Sequence, residues 1–142
     1  MLKKIGLALA FMGASFAAQA ADDVHYFNFN QAVQNAVAAG ALDGTVKFYL
    51  AGTKSGGQIL QANMISNKKT NGFNKSAEEG CDWAIRSALI QFERAAKARG
   101  GNAVTNIVSF YDRQVYQDTE KYECRDGTFA TGVVLRGDIA KF

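Results

Sequence analysis

The sequence of 142 residues has few of the side chains that bind metals or activate nucleophiles. It contains one histidine, His25, and two cysteines, Cys81 and Cys124. A protein zinc site takes three or four ligands, and a thiol nucleophile requires a nearby base such as histidine. The sequence offers no distinctive set of convergent titratable groups. We therefore predict a protein that is not an enzyme and that holds no cofactor or metal.

Long apolar runs are also scarce, because only the first twenty residues form one. A charged start precedes an apolar run from Ile5 to Ala18, and Ala18-Gln19-Ala20 then has the small-x-small pattern of a signal peptidase site. A short transmembrane anchor is the alternative for this run. We interpret residues 1–20 as a signal peptide. Residues 21–142 are then one domain, periplasmic or secreted in a bacterium and soluble after cleavage near Ala20.

An excess of charge of one sign is also missing from the mature chain. The full sequence has a formal charge of +3, and removal of the two lysines in the signal peptide leaves 14 basic and 13 acidic side chains, a charge of +1. A basic field for nucleic acid is therefore not expected. With 48% hydrophobic and 20% charged residues, the chain has the composition of an ordinary globular protein.

The two cysteines fit an exported protein. An oxidising compartment favours a disulfide between Cys81 and Cys124, which are the only cysteines in the chain. The alternatives are a reactive thiol and a pair of metal ligands. The scarcity of histidine disfavours both alternatives, so we predict a structural disulfide.

The clearest periodic segment is a helix from Ala77 to Arg99. Ser76-Ala77-Glu78-Glu79 is a capping box, and Gly100-Gly101 is a stop signal. Asp82, Arg86, Glu93 and Lys97 are predicted on its polar face. One apolar face is predicted to be buried, and its members are Cys81, Ala84, Ile85, Ala88, Leu89, Phe92, Ala95 and Ala96.

Shorter elements surround this helix. Asp22 to Asn28 is a polar and aromatic lead-in, Asn30 caps a short helix from Gln31 to Ala39, and Asn67 to Lys75 is an exposed loop. Strands are predicted at Thr45–Leu50, Gln58–Ser66, Asn102–Asp112, Lys121–Cys124 and Thr128–Arg136. The order α-β-β-α-β-β-β indicates an α+β two-layer sandwich. One main helix packs on a mixed or antiparallel sheet, with a short N-terminal helix in addition.

Two apolar side chains interrupt the polar face of the main helix. Trp83 and Ile90 lie seven residues apart and therefore on the same side of the helix. One interpretation is that Val33 and Val37 of the N-terminal helix cover them. The other is an interface with a partner, because an exposed apolar pair that includes an aromatic residue is typical of contact surfaces.

A resemblance to a known superfamily covers residues 76–142, about half of the mature chain. From Ala95 to Val104 a helix ends in a glycine turn and Asn-Ala-Val opens a strand, and Gly137 to Lys141 is a terminal strand of small residues. These segments resemble the YbjQ/RcsF-like superfamily of small envelope or heavy-metal-binding domains. Cys81 and Cys124 look like positions where RcsF-like members have a disulfide. The resemblance implies a β-α-β-β-like core, symmetric oligomers and a link to envelope stress or metal binding.

The segment around the last hairpin carries mixed charges and three tyrosines, Tyr111, Tyr116 and Tyr122. A solvated loop is one interpretation, and a binding edge with aromatic contacts is the other. We predict an exported, non-catalytic periplasmic interaction protein, related to envelope stress, that binds an envelope protein or itself. The predicted surface consists of Trp83, Ile90 and the three tyrosines. The alternative is a periplasmic protein that binds a small ligand or a metal ion.

Overall fold

The computed structural model describes residues 23–142, so the predicted signal peptide and its cleavage point lie outside the described residues. In chain order the elements are β1 (Asp23–Asn28), α1 (Phe29–Ala38), β2 (Lys47–Leu50), β3 (Gln58–Asn71), α2 (Ala77–Ala98), β4 (Ala103–Ser109), a 3-10 turn (Tyr111–Arg113), β5 (Lys121–Asp126) and β6 (Ala130–Lys141). The protein is therefore α+β, as predicted, with more strand than helix.

The main helix α2 forms where the capping pattern placed it. The Ser76 hydroxyl accepts a hydrogen bond from the Glu79 backbone N–H at 3.1 Å, and Gly100 has a φ of +74° after the last turn. All eight residues of the predicted apolar face are buried. Glu93 departs from the prediction, because it is buried although it was expected on the polar face. The loop after α1 covers it, and the Asp43 backbone N–H donates to Glu93 Oε2 at 3.3 Å.

The sheet is built on β6. Strand β3 pairs antiparallel along one edge of β6. On the other edge, β5 pairs with the first residues of β6 and β4 pairs with the last ones. Strand β1 adds antiparallel to β5, and β2 adds parallel to β4. The N-terminal strands are therefore part of the same sheet as residues 76–142.

The sheet curls strongly into a half-barrel, which the two-layer sandwich prediction did not anticipate. Because β5 and β4 extend from opposite ends of one strand, the two arms of the sheet diverge. Register shifts also interrupt β3 between Ile59 and Met64 and β4 between Thr105 and Val108. Such bulges bend a strand and increase its twist. The apolar face of α2 fills the resulting concavity and forms the centre of the core.

Several boundaries differ from the sequence prediction, and besides the ends of β4 and β6 these are the start of the sheet, the start of α1 and the end of β3. The lead-in before α1 is a strand, because β1 pairs with β5 over its whole length. Helix α1 begins at Phe29 with Asn28 as its cap, and Asn28 Oδ1 accepts from the Gln31 backbone N–H at 2.8 Å. Strand β3 continues to Asn71 rather than ending at Ser66, because its last residues pair with the start of β6.

Candidate functional site

The two cysteines form the predicted disulfide, which excludes a free thiol at either position. Cys81 in the first part of α2 is bonded to Cys124 in β5, and both residues are fully buried. The bond crosses the core from the helix to the sheet. The role of the cysteines is therefore structural, and a disulfide fits an oxidising compartment.

Trp83 lies on the outward side of α2 with 48% of its surface exposed. Helix α1 therefore does not cover it, contrary to one of the two interpretations above. The guanidinium carbon of Arg86 lies 5.2 Å from the centre of the indole ring, and Arg86 Nη2 bonds Asp82 Oδ2 at 2.9 Å. The ring is thus presented to solvent and held from one side by a paired arginine.

Ile90 occupies a different environment from Trp83, because it is partly buried against the core. It also lines an open groove between α2 and β3 with a volume of about 380 Å³. The other residues that line this α2–β3 groove are Lys68, Lys69, Ser87, Gln91 and Arg94. Ile90 is thus the one apolar side chain among the described residues that line this groove, beside cationic and uncharged polar side chains. Such a groove suits a partner with acidic side chains.

The three tyrosines do not form one surface. Tyr111 and Tyr116 are partly exposed, and the rings of Tyr116 and Tyr26 have their centres 4.6 Å apart. Tyr122 has only 2% of its surface exposed, so the prediction that it contributes to a surface is wrong. Alternation along β5 explains this placement, because Tyr122 and Cys124 point into the core while Glu123 points to the opposite face.

The outward face of β5 carries a charge cluster of which only Glu123 is buried. Glu123 has 6% of its surface exposed, and its Oε1 lies 3.4 Å from Arg125 Nη2. Arg125 also lies over the ring of Tyr111 at 4.8 Å and approaches Asp112 at 3.9 Å. Tyr111, Glu123 and Arg125 are therefore packed together, whereas the Asp112 side chain stays 73% exposed and most of residues 112–121 are exposed, as the solvated-loop interpretation expects.

A second groove, between α1 and α2, was not predicted from the sequence. It has a volume of about 400 Å³ and is lined by Phe27, Asn28, Gln31, Ala32, Asn35, Glu78, Asp82 and Tyr122. Burial, and to a smaller extent the Asp82 carboxylate, raise the pKa of Tyr122. The periodicity of α2 placed Asp82 on a polar face, but the position of α1 beside it depends on the tertiary structure.

Comparisons with known proteins found no matching family model and no matching curated protein. Among residues 23–142, no three side chains of His, Cys, Asp or Glu are grouped so as to hold a metal ion. In the same range, neither helix has the length and apolar character needed to cross a membrane.

Proposed function

We propose that this chain is an exported, non-catalytic interaction protein of the bacterial periplasm, with a role in envelope stress. The signal-peptide pattern of residues 1–20 and the Cys81–Cys124 disulfide support export. The resemblance of residues 76–142 to YbjQ/RcsF-like domains supports an envelope role.

The observation that carries the interaction proposal is the exposure of Trp83 beside Arg86. Tryptophan and arginine are enriched among the residues that dominate binding energy at protein interfaces. Here they stand together on the outward side of α2, and the cationic α2–β3 groove lies on the same helix. The partner is an envelope protein, or a second copy of this chain, that supplies an apolar contact for Trp83 and acidic groups for Lys68 and Arg94.

Export and pairing are tested together by the intact mass of protein recovered from periplasm. The expected mass starts at Ala21 and is lower by two hydrogens than that of the reduced chain. Retention of the first twenty residues, or a reduced pair of cysteines, would contradict export to an oxidising compartment.

The surface is tested by crosslinking in the periplasm and by substitution of exposed residues. Trp83→Ser and Arg94→Glu are expected to remove the crosslinked species while thermal unfolding stays within the range of ordinary surface substitutions. Val115→Ser is the matched control, because Val115 is an apolar residue 53% exposed outside α2. Ile90 is unsuitable for this test because it packs against the core. Unchanged crosslinking by Trp83→Ser would refute this surface.

A further inference from the structure

We infer that the groove between α1 and α2 binds an organic ammonium group at the end of an alkyl chain. Such a group is found in a free alkylamine and in the side chain of lysine. The groove adjoins the Trp83 surface through the Asp82–Arg86 ion pair. Its test uses substitutions at Glu78 and Tyr122, which leave that ion pair and Trp83 unchanged, so either proposal can fail without the other. Its volume of about 400 Å³ lies within the range of small-molecule sites, about 300–1,000 Å³.

Tyr122 is the first observation that points to a ligand. Its side chain is nearly completely buried and lines the groove, yet its hydroxyl forms no hydrogen bond with any residue of the part that the structure describes. The hydroxyl is not one of the buried polar atoms that lack a partner among residues 23–142, so it reaches the solvent of the groove, where a ligand can replace water as its partner. The hydroxyl stays protonated at neutral pH, since burial raises the pKa of Tyr122. It can therefore accept a hydrogen bond from an ammonium group that enters the groove.

Two carboxylates provide the second observation. Glu78 forms no ion pair within residues 23–142, and Asp82 uses Oδ2 for Arg86, which leaves Oδ1 without a partner. Neither lysine nor arginine is among the described residues that line the groove. The dipole of α2 favours an acid in its first turn and so accounts for Glu78 by itself. The ion pair with Arg86 accounts for Asp82, but neither the dipole nor that pair accounts for the hydroxyl of Tyr122, which has no partner among the described residues.

The remaining side chains favour an organic cation. Phe27 and Ala32 give the groove an apolar wall that suits methylene groups, and aromatic rings attract ammonium groups. Two side-chain amides at the rim are hydrogen-bonded to each other, with Gln31 Nε2 donating to Asn35 Oδ1 at 2.9 Å. A bare calcium ion takes about six to eight oxygen ligands, which two carboxylates do not supply. The groove therefore matches a cation that carries its own apolar chain.

The inference is tested by calorimetric titration of the mature disulfide-bonded protein. The probes are 1-aminopentane for a free amine and Nα-acetyl-lysine amide for a lysine side chain. Pentanol is the neutral control, and calcium chloride tests for simple cation binding. Saturable binding of either amine, weakened by added salt and absent with pentanol, is the expected result. The tighter of the two amine probes identifies the source of the ammonium group.

Variants then locate the binding site. Glu78→Gln is expected to weaken amine binding about twofold to fivefold, as for loss of an exposed ion pair. Glu79→Gln is the matched control, because Glu79 is the adjacent exposed acid on the same helix and does not line the groove. Tyr122→Phe is expected to weaken binding about twofold to tenfold without loss of stability, because it removes only a hydroxyl that has no protein partner.

Three results would overturn the inference. The first is the absence of saturable binding by both amines. The second is an amine affinity that is the same in the Glu78→Gln and Glu79→Gln variants, or the same in the Tyr122→Phe variant and the unmodified protein. The third is binding of calcium as tight as that of the amines, since calcium gains nothing from the apolar wall.

Discussion

Reduction of the Cys81–Cys124 disulfide is expected to release one arm of the sheet before the rest of the domain. The arm consists of β1 and β5, which pair with each other over six residue positions. Its connection to the central strand is short, because β5 pairs with β6 only at Arg125–Gly132 and Asp126–Thr131. The disulfide therefore supplies a main attachment of this arm to α2.

The magnitude follows from the loop that the disulfide closes. The two cysteines are 43 residues apart, and the chain-entropy estimate for such a loop is about 4 kcal/mol. The free energy of unfolding of a domain of this size is about 5–15 kcal/mol, so reduction removes a large fraction of it. The corresponding decrease in the melting temperature is about 10–25 °C.

Denaturant titration with and without a thiol reductant measures the global effect on the free energy of unfolding. Amide hydrogen exchange under the same conditions measures the local effect, and we expect faster exchange in β1 and β5 than in β3 and β6 after reduction. The double variant Cys81→Ala with Cys124→Ala is the control, because reductant has no bond to break in it. A loss of stability below about 1 kcal/mol, far from the loop estimate, would refute the reasoning. So would equal acceleration of exchange across all four strands.

Two further predictions concern other contacts. The ion pair of Asp43 with Lys97 lowers the pKa of the acid below its ordinary 3.8 and raises the pKa of the base above its ordinary 10.5. Its stabilisation is therefore present at neutral pH, decreases as the pH falls below about 4 and decreases as the pH rises above about 10.5. The free energy of unfolding, measured at pH 7 and at pH 2, should differ less in the Asp43→Asn variant than in the unmodified protein, because the variant has no carboxylate to protonate at this position. An equal difference in both proteins would contradict the ion pair. Thr105→Val should raise the free energy of unfolding by about 1 kcal/mol in denaturant titration, because the buried Thr105 hydroxyl has no hydrogen-bond partner within residues 23–142. A decrease would show that the hydroxyl is satisfied.

The sequence predicted best where one local rule decided the outcome. Helix α2 has a serine N-cap, a regular apolar face and a glycine stop, and all three were confirmed, although the Glu79 carboxylate does not return the bond that completes a capping box. The last hairpin also forms, and in its turn the Gly127 N–H donates to the Ala130 carbonyl at 2.9 Å. The same local rules missed β1, because a short edge strand with mixed polar and aromatic residues has no strong pattern of its own.

The candidate sites were less predictable because they depend on which elements become neighbours. Tyr122 and Tyr116 belong to one tyrosine-rich segment, yet alternation and the path of the chain place one in the core and one at the surface. Glu93 and Asp82 share the polar face of α2, but the loop after α1 buries the first while the second lines a groove. Trp83 is a further example, since its place on that face allowed either cover by α1 or an exposed contact surface, and only the fold, with 48% of the residue exposed, decided between them.

The sequence by itself determined the α+β class, the extent and buried face of α2, and the cysteine pair. These follow from periodicity, capping and the count of cysteines, which are local or compositional properties. Only the tertiary structure decided the half-barrel and the groove between α1 and α2. The sheet curls because β4 and β5 pair with opposite ends of the same edge of β6. The groove forms because α1 lies beside Asp82 of α2. Both depend on pairings between residues far apart in the chain, which no local pattern specifies.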